Sequence, residues 1–351
     1  MTSDGTGAEA PRRGVARLAD VAARAGVGTS IASRVLNRDP TVGVRPETRA
    51  RILEAAEALH YRPNAAARGL KSQRTTTIGL VIPNLAYPVN AEIIRGAERA
   101  ASDAGYVLLI ADAEEFLQAG QAYHRLLLEG RVDGLMLASA STAEPMLRDI
   151  LNTDLPLILV NRRAGSLAAS VTVDDALGMR LGVEHLIALG HTRIGYVSGP
   201  RDADTAQRRL EGFASALRDA GLPEQPDRIV ESSFDEAGGF AACQELLARW
   251  PEPPTAVTVW SVAAAIGVRA ALASSGIRVP QDVSVVAFHD VPLAAYVQPP
   301  LTTVRMPLAE MAALGVRLLL DRIGGKPVAS RVVQTRPTVI VRESTGPPGK
   351  I

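Results

Sequence analysis

The sequence contains a single cysteine, no long apolar run and no segment that resembles a signal peptide. Cys243 has no second cysteine to pair with, so an internal disulfide is impossible and a reducing compartment is expected. No apolar run approaches the roughly 20 residues that a membrane-spanning helix needs. The first 20 residues lack the apolar segment of a secretory signal. These absences predict a cytoplasmic protein that does not associate with a membrane.

The motifs of common catalytic and metal sites are also missing. The five histidines are scattered, without an H-E-x-x-H pattern or a cysteine–histidine cluster, so no metal or other cofactor is expected. There is no G-x-S-x-G, no P-loop, and no G-x-G-x-x-G after the first predicted strand. Ser198-Gly199-Pro200 could cradle a ligand after a strand, but such turns are common. The protein is therefore predicted not to be an enzyme, which argues against a sugar-processing enzyme. The missing signal peptide argues against a solute-binding protein.

Positive charge is concentrated near the start of the chain. Residues 11–74 contain 13 Lys and Arg against 5 Asp and Glu, a net charge of +8. Residues 75–351 contain 25 against 30, a net charge of −5. Neutralisation of phosphates is the usual reason for such a basic segment, so a nucleic-acid partner is predicted.

Two short helices joined by a glycine turn are predicted within the basic segment. Leu18, Val21 and Ala22 have helical spacing, and Gly26 breaks the first helix because it can adopt a left-handed conformation. This arrangement is a helix-turn-helix, which places the start of its second helix in the major groove of DNA. The polar face of that second helix comprises Thr29, Ser30, Ser33, Arg34 and Asn37. Thr29, Ser30 and Arg34 are the base-reading candidates, Arg34 through O6 and N7 of guanine.

A third helix and a hinge follow. The third helix begins at Pro46, a favoured first-turn residue, and runs to about His60. Tyr61-Arg62-Pro63-Asn64 ends it, because a residue before proline avoids the helical conformation. The alanine-rich stretch after Asn64 favours a short helix that is marginal alone and forms only against a partner surface.

These residues resemble one family of regulators. Asp20-Val21-Ala22, Ala25-Gly26-Val27 and Ser33-Arg34-Val35-Leu36-Asn37, followed by Tyr61-Arg62-Pro63-Asn64-Ala65, are similar to the lactose-repressor/galactose-repressor (LacI/GalR) family. The resemblance continues more loosely to about residue 343. It implies a homodimer that binds double-stranded operator DNA. It also implies a hinge in which Asn64, Ala67 and Leu70 contact the operator, Leu70 as an apolar wedge in the minor groove.

The remainder of the chain alternates strand and helix patterns, which indicates an α/β fold with parallel sheets flanked by helices. The resemblance implies a two-lobed, periplasmic-binding-protein-like core with a ligand cleft. The predicted divisions are a disordered tail at 1–14, a helix-turn-helix DNA-binding domain at 15–63, a hinge at 64–74, an effector-binding and dimerisation core at 75–343 (lobe 1 at 75–173 and 302–326, lobe 2 at 174–301 and 327–343) and a tail at 344–351.

Effector contacts are predicted beyond the carboxyl ends of the strands, where open α/β sheets bind ligands. The candidates are Tyr87, Asn90, Asn161, Arg162, Trp260, Ser261, His289 and Asp290. The resemblance adds Arg209, at a position where the family commonly uses an arginine to hold ligand hydroxyls or a carboxylate. Trp260 is predicted either to stack on a sugar ring or to fill the core.

Several positions depart from the family pattern. Gly28 and Ile31 replace the usual Ser and Thr beside the recognition helix, whereas Arg17 stands where a Thr cap is common and can contact phosphate by charge. In the cleft, Ser261-Val262 replaces Asn-Asp, His289 replaces an Asp, and Asn161 replaces an Asp. Fewer carboxylates weaken the case for a neutral sugar and favour a more apolar effector or an anionic one. An acidic or phosphorylated ligand would be held by Arg209 through a bidentate contact.

The sequence therefore predicts a repressor that binds a palindromic operator as a dimer and responds to a sugar or sugar derivative in the cleft. The alternative is a ligand-independent regulator or activator on the same scaffold.

Leu70→Ala is expected to leave the head folded but to reduce both the bend and the affinity at a palindromic operator, because a methyl group cannot unstack a base step. Phasing analysis of mobility shifts with the wild type and the variant measures the bend. Equal bends would exclude Leu70 from the wedge role.

Overall fold

The computed structural model describes residues 16–37, 39, 41–62, 74–113, 130–138, 150–223, 226–250 and 253–349. The chain divides into two compact units between Thr75 and Thr76, one residue beyond the predicted end of the hinge. The predicted tail at 1–14 and hinge residues 64–73 lie outside the described residues.

Within its described residues, the first unit is a bundle of three helices. They are α1 (Leu18–Ala25), α2 (Thr29–Leu36) and α3 (Pro46–Ala58). Gly26 ends α1 with φ of 67°, a left-handed conformation that costs glycine little. Val21, Ala32, Val35 and Ile52 are fully or almost fully buried at the centre of the bundle. The predicted helix-turn-helix and third helix are confirmed, because the apolar spacing that predicted them also forms this core.

The described part of the second unit contains two sheets of six strands each. The first sheet has the order β11-β5-β4-β3-β1-β2, and the second has the order β12-β10-β9-β8-β6-β7. All neighbouring strands are parallel except β10 and β12. The strands of the first sheet are β1 (Thr77–Ile82), β2 (Val107–Asp112), β3 (Gly134–Leu137), β4 (Leu157–Val160), β5 (Ser170–Thr172) and β11 (Arg331–Val332). Those of the second are β6 (Ile194–Ser198), β7 (Ile229–Glu231), β8 (Ala256–Val259), β9 (Ser284–Phe288), β10 (Thr302–Arg305) and β12 (Thr338–Ile340).

Helices flank both sheets. They are α4 (Asn90–Asp103), α5 (Asp175–Ala188), α6 (Asp204–Asp219), α7 (Glu236–Arg249), α8 (Val262–Ser274) and α9 (Leu308–Ile323). Helices α4 and α9 pack together on the first sheet, at a point where Gly96 is so close to the carbonyl of Ala309 that no larger residue fits. Helix α5 packs on the second sheet, and α7 packs against α8. The predicted α/β class and its parallel sheets are confirmed.

The predicted strands agree closely with the observed ones, and the strands that the sequence did not reveal are short. β-Branched and apolar runs in the sequence predict seven strands: Ile78–Ile82, Val107–Ala111, Gly134–Ala138, Leu157–Val160, Ile194–Ser198, Ala256–Trp260 and Val283–Phe288. All seven are present, with ends that shift by at most one residue. The five strands that were not predicted, β5, β7, β10, β11 and β12, contain no more than four residues each. Such short segments offer too few alternations to be recognised by their pattern.

The predicted lobe boundaries require two corrections. Strand β10 was assigned to the first lobe, but it pairs in parallel with β9 of the second sheet. Strand β11 was assigned to the second lobe, but it pairs with β5 of the first sheet. The chain therefore crosses between the lobes after β10 and again after β11. The sequence could not show this, because strand pairing depends on contacts between residues far apart in the chain.

The prediction of a tail from residue 344 is wrong for its first residues. Ser344 is fully buried, and its hydroxyl donates to the Val285 carbonyl at 2.6 Å and accepts from the Thr302 amide at 2.8 Å. The Gly346 carbonyl lies 2.9 Å from Nε2 of His191. These contacts fix the segment against the second sheet, where it satisfies backbone groups that would otherwise be unpaired.

No helix among the described residues is both long and apolar enough to cross a membrane.

Ser344→Ala is expected to lower the free energy of unfolding of the second unit by about 1–3 kcal/mol, because it leaves a buried amide and a buried carbonyl without this partner. Glu343→Ala, at the exposed neighbouring position, should change it by less than about 0.5 kcal/mol. Urea unfolding of the full chain measures both variants. Equal stabilities would show that residue 344 behaves as part of a tail.

Candidate functional site

The surface of α2 presents the polar residues that were predicted to contact DNA. Exposed or partly exposed on this surface are Thr29, Ser30, Ser33, Arg34 and Asn37. The Nδ2 atom of Asn37 lies 3.3 Å from Oγ of Ser33, one helical turn away. Ile31, at a position where the family usually has Thr, is also exposed. The helix therefore offers both hydrogen-bonding and apolar groups to a base edge or a phosphate.

Arg34 takes part in a local ion pair that the sequence did not suggest. Its Nε donates to Asp39 at 2.8 Å, and its Nη2 donates to the Thr41 hydroxyl at 2.8 Å. Hydrogen bonds from Thr41 and Arg34 lower the pKa of Asp39, which keeps the carboxylate charged. A base contact by Arg34 must therefore share the guanidinium with Asp39 or break this exposed pair, which is weak because water screens it.

Arg17 precedes the first helix, and its backbone amide donates to the Asp20 carboxylate at 2.7 Å. This contact satisfies an otherwise unpaired amide at the helix start, while the residue remains exposed. Asn64, Ala67 and Leu70 lie outside the described residues, so their predicted operator contacts stay predictions.

A cavity of about 250 Å³ lies at the carboxyl ends of strands from both sheets. Eight of the nine predicted effector contacts line it: Tyr87, Asn90, Asn161, Arg162, Arg209, Trp260, Ser261 and His289. Tyr87 and Asn90 follow β1, Asn161 and Arg162 follow β4, and Trp260 and Ser261 follow β8. His289 follows β9. The volume is below the range of roughly 300–1,000 Å³ typical of sites for drug-sized ligands, so it suits a ligand of about one ring.

Strained backbone is concentrated at this cavity. Asn84, Asn161 and His289 have φ values of 47°, 59° and 72°, in a region that non-glycine residues rarely adopt. All three line the cavity. Each such conformation costs about 1–3 kcal/mol and persists only where surrounding contacts hold it, which is typical of ligand sites.

Asp175 organises the wall of the cavity formed by the second lobe. Its carboxylate is fully buried and accepts from Nη2 of Arg208 at 2.7 Å and from Nε of Arg209 at 2.8 Å. Burial alone would raise the pKa of Asp175, but the two guanidinium groups outweigh it and hold the pKa below its ordinary value. The buried carboxylate is therefore ionised and compensates the charge of Arg209.

Arg209 makes further contacts that fix its orientation. Its Nη1 donates to the Trp260 carbonyl at 2.7 Å, its Nη2 lies 3.0 Å from Nε2 of His289, and its guanidinium carbon lies 4.0 Å from the centre of the Phe288 ring. All three nitrogens are thus engaged within the protein. The expectation that Arg209 dominates the field of the cavity and grips an acidic ligand is not supported by this arrangement, because Asp175 already neutralises it.

Three aromatic rings form an edge-to-face series beside the cavity. The centres of Tyr87 and Phe234 are 6.2 Å apart, and those of Phe234 and Trp260 are 4.9 Å apart. Gly199, which was considered a ligand cradle, instead leaves room for the Trp260 indole, since a Cβ there would lie 2.4 Å from the ring. Trp260 therefore lines the cavity while also packing into the core, which combines both predicted roles.

Asp290 is the one predicted effector contact that does not line the cavity. Its carboxylate accepts from Arg305 at 2.6 Å, from Arg342 at 2.7 Å and from Thr303 at 2.8 Å. These ion pairs hold β9, β10 and the end of the chain together. Asp290 thus has a structural role outside the cavity lining, and its predicted effector contact stays a prediction.

Phe234, Asp204 and Thr205 line the cavity but were not predicted. Phe234 follows β7, a three-residue strand that the sequence did not reveal, so the rule of strand ends could not be applied to it. Asp204 begins α6, where it accepts from the Arg163 amide at 2.9 Å and from Arg208. In the sequence, the only indication that Asp204 belongs to this site is its position one helical turn before Arg208.

Among the residues described, no group of three or more His, Cys, Asp or Glu side chains could hold a metal ion.

Comparison with known proteins establishes the family. Residues 17–64 match the sequence profile described as bacterial regulatory proteins, lacI family, and residues 183–345 match that of a periplasmic binding protein-like domain. The chain is 35% identical to the ribose operon repressor of Escherichia coli (strain K12) over 333 residues, which span 94% of this chain and 100% of that protein. The chain belongs to the lacI family of bacterial regulatory proteins. It is thus a DNA-binding transcriptional regulator.

Other members of the lacI family agree with this assignment. The HTH-type transcriptional repressor PurR of Aliivibrio salmonicida (strain LFI1238) is 34% identical over 94% of this chain and 99% of its own length. The solved structure of the lac repressor dimer bound to operator and the anti-inducer ONPF has a TM-score of 0.81 at 28% identity, over 94% of this chain and 99% of that one. A transcriptional regulator CelR–cellobiose complex has a TM-score of 0.71 at 32% identity, with the same coverage.

Asp175→Asn is expected to destabilise the second unit by about 3–5 kcal/mol, because it leaves the buried guanidiniums of Arg208 and Arg209 without their shared counter-ion. Asp174→Asn is the matched control, since the exposed Asp174 caps α5 and asparagine caps a helix equally well. Urea unfolding compares the two. Similar small losses would show that the buried ion pairs contribute little.

Proposed function

We propose that this lacI-family chain is a repressor that binds a palindromic double-stranded operator as a homodimer in the cytoplasm. A small effector in the cavity of the two-lobed body controls that binding. One observation carries the proposal: the same chain has an exposed polar recognition helix and a ligand-sized cavity at the ends of strands from two sheets.

Operator binding is supported by the charge and the surface of the head. The net charge of +8 over residues 11–74 suits a phosphate backbone, and α2 exposes hydrogen-bonding side chains of the kind that read base edges. The structurally similar lac repressor is bound to operator as a dimer.

Dimer formation is supported by an exposed apolar patch on the body. Tyr296 is 85% exposed and Leu293 is 48% exposed, and both lie on or beside a short turn of helix at Pro292–Ala295. Exposed apolar patches mark interaction sites, and Tyr is enriched in protein interfaces.

The effector is proposed to be a small molecule of the sugar class or a derivative. The relatives include a ribose operon repressor, and one similar structure is a complex with cellobiose. The cavity favours effector control over the ligand-independent alternative, because left-handed residues such as the three that line it cluster at ligand sites. The carboxylates of Asp175 and Asp204 are already held by arginines, which supports a binding role and not a catalytic one.

Selection of DNA sites by the full chain from a random library tests the proposal. A palindromic consensus bound by two chains, as counted by sedimentation, is the expected result. Recovery of sites without symmetry, or binding with no preference for sequence, would contradict it.

Arg34→Ala should weaken binding to the selected site by about 1–3 kcal/mol and relax the preference at one base pair per half-site. Asp39→Asn is the matched variant, because it breaks the same ion pair but keeps the guanidinium, so the base preference should persist. Affinities for the site and for its single-base variants measure both. A uniform loss across all sequences in both variants would show that Arg34 serves only to hold the end of α2.

A further inference from the structure

A second cavity, the α4–α9 groove, lies between two helices that pack on the first sheet. Its volume is about 500 Å³, within the range of roughly 300–1,000 Å³ that is typical of ligand sites. The helices meet where Gly96 approaches the carbonyl of Ala309, and from there the groove follows both helices toward their carboxyl ends. None of the residues that line it also lines the effector cavity, so the two cavities are distinct.

Positive charge is concentrated in the α4–α9 groove. Arg95 and Arg99 line it from α4, where they are one turn apart, and Arg317 lines it from α9. The one carboxylate in the described lining is Asp103, so three positive charges stand against one negative charge. Residues 75–351 as a whole have a net charge of −5. The groove is therefore a local basic site on an otherwise acidic body, which attracts an anion.

The guanidinium groups of this groove are largely uncompensated within the protein. Nη2 of Arg95 lies 4.0 Å from Glu92, which makes an exposed and weak pair. The side chains of Arg99 and Arg317 make no ion pair and no hydrogen bond in the part of the chain that the structure describes. Asp103, one turn after Arg99, does not pair with it. Both guanidiniums thus keep their donors available for an external acceptor.

Small residues between the arginines leave room for a ligand. Gly96 is buried, and Ala100, Ala309 and Ala313 are half-buried, whereas the arginines are exposed. A phosphoryl group carries a charge of about −1.5 to −2 and three acceptor oxygens, so it can accept from two guanidiniums at once. A carboxylate has less charge and fewer oxygens. The groove therefore suits a phosphoryl group better than a carboxylate.

Helix α4 contributes to both cavities. Asn90 and Ile93 in its first turn line the effector cavity, and the residues from Arg95 onward line the groove. Helix α9 lies between β10 of the second sheet and β11 of the first, where the chain crosses from one lobe to the other. A ligand in the groove would thus contact a helix that also forms part of the effector cavity.

We propose that the α4–α9 groove binds a phosphorylated small molecule whose phosphoryl group accepts hydrogen bonds from Arg99 and Arg317. Arg95 adds a third positive charge, and the volume of the groove accommodates the remainder of the molecule. This site is additional to the effector cavity and does not depend on what binds there.

Calorimetry with the full-length protein tests this inference. D-ribose 5-phosphate and inorganic pyrophosphate are the phosphate probes, D-ribose is the neutral control, and a phosphoserine peptide presents the same group on a protein chain. At least one phosphate probe should bind at one site per chain, with an affinity that falls as salt is raised. Binding by neither phosphate probe, or binding by the phosphoserine peptide alone, would overturn the proposal.

Arg99→Ala and Arg317→Ala should each weaken the bound phosphate probe about tenfold or more, because each removes a charge-assisted hydrogen bond. Any binding of D-ribose should be unchanged in both. Arg322→Ala is the matched control, since it removes the same charge from an exposed position of α9 outside the groove lining. Equal losses in Arg317→Ala and Arg322→Ala would show attraction by diffuse charge and would overturn the assigned site.

Ala313→Leu keeps all three arginines but fills part of the groove, so it should also weaken binding of D-ribose 5-phosphate. Unchanged binding in this variant, with its fold checked by circular dichroism, would contradict a site within the groove. Sedimentation of the arginine variants without a probe is the second check. A change in their state of association would show that the groove serves contact between two copies of the chain, which would also overturn the proposal.

Operator binding by the wild type is measured in parallel without any probe. Loss of specific DNA binding would contradict the proposed function. Specific DNA binding without a phosphate site in the groove would contradict only the present inference.

Discussion

The buried ion pairs of Asp175 are the interaction on which the cavity depends. A carboxylate removed from water at the start of α5 is tolerated only because Arg208 and Arg209 on α6 both donate to it. The pairing fixes the orientation of Arg209. Arg209 in turn contacts the carbonyl of Trp260, which follows β8, and the ring of His289, which follows β9. One carboxylate thus fixes the orientation of Arg209 and compensates its charge.

The same region connects the two lobes of the body. Asp204 begins α6 on the second lobe and accepts from the backbone of Arg163, which follows β4 of the first lobe. Tyr87 of the first lobe contacts the ring of Phe234 of the second. Residues of both lobes line the cavity, so a ligand bound there would contact both lobes. It can shift the balance between lobe arrangements only as far as its affinity differs between them.

The recognition helix shows how the family pattern is adapted in this chain. Gly28 precedes α2 without a side-chain cap, and the exposed Ile31 presents an apolar group where a hydroxyl is usual. The Arg34–Asp39 pair closes the other end of the helix. Because exposed pairs of this kind are weak, DNA can compete for the guanidinium without a large loss of stability in the head.

The sequence by itself determined the class of the protein, the helices of the head and the strand ends that line the cavity. Local spacing carries this information: Val21, Ala22 and Gly26 mark a helix and its end, and the residues that follow β1, β4, β8 and β9 are adjacent to strands that can be read directly. Only the tertiary structure decided which lobe β10 and β11 join, that Ser344 is buried, and that Phe234 lines the cavity. It also decided that Asp175 neutralises Arg209 and that Asp290 pairs with Arg305 and Arg342 outside the cavity lining. These outcomes depend on pairing between residues far apart in the chain, and a buried charge takes its role from the groups that surround it in space.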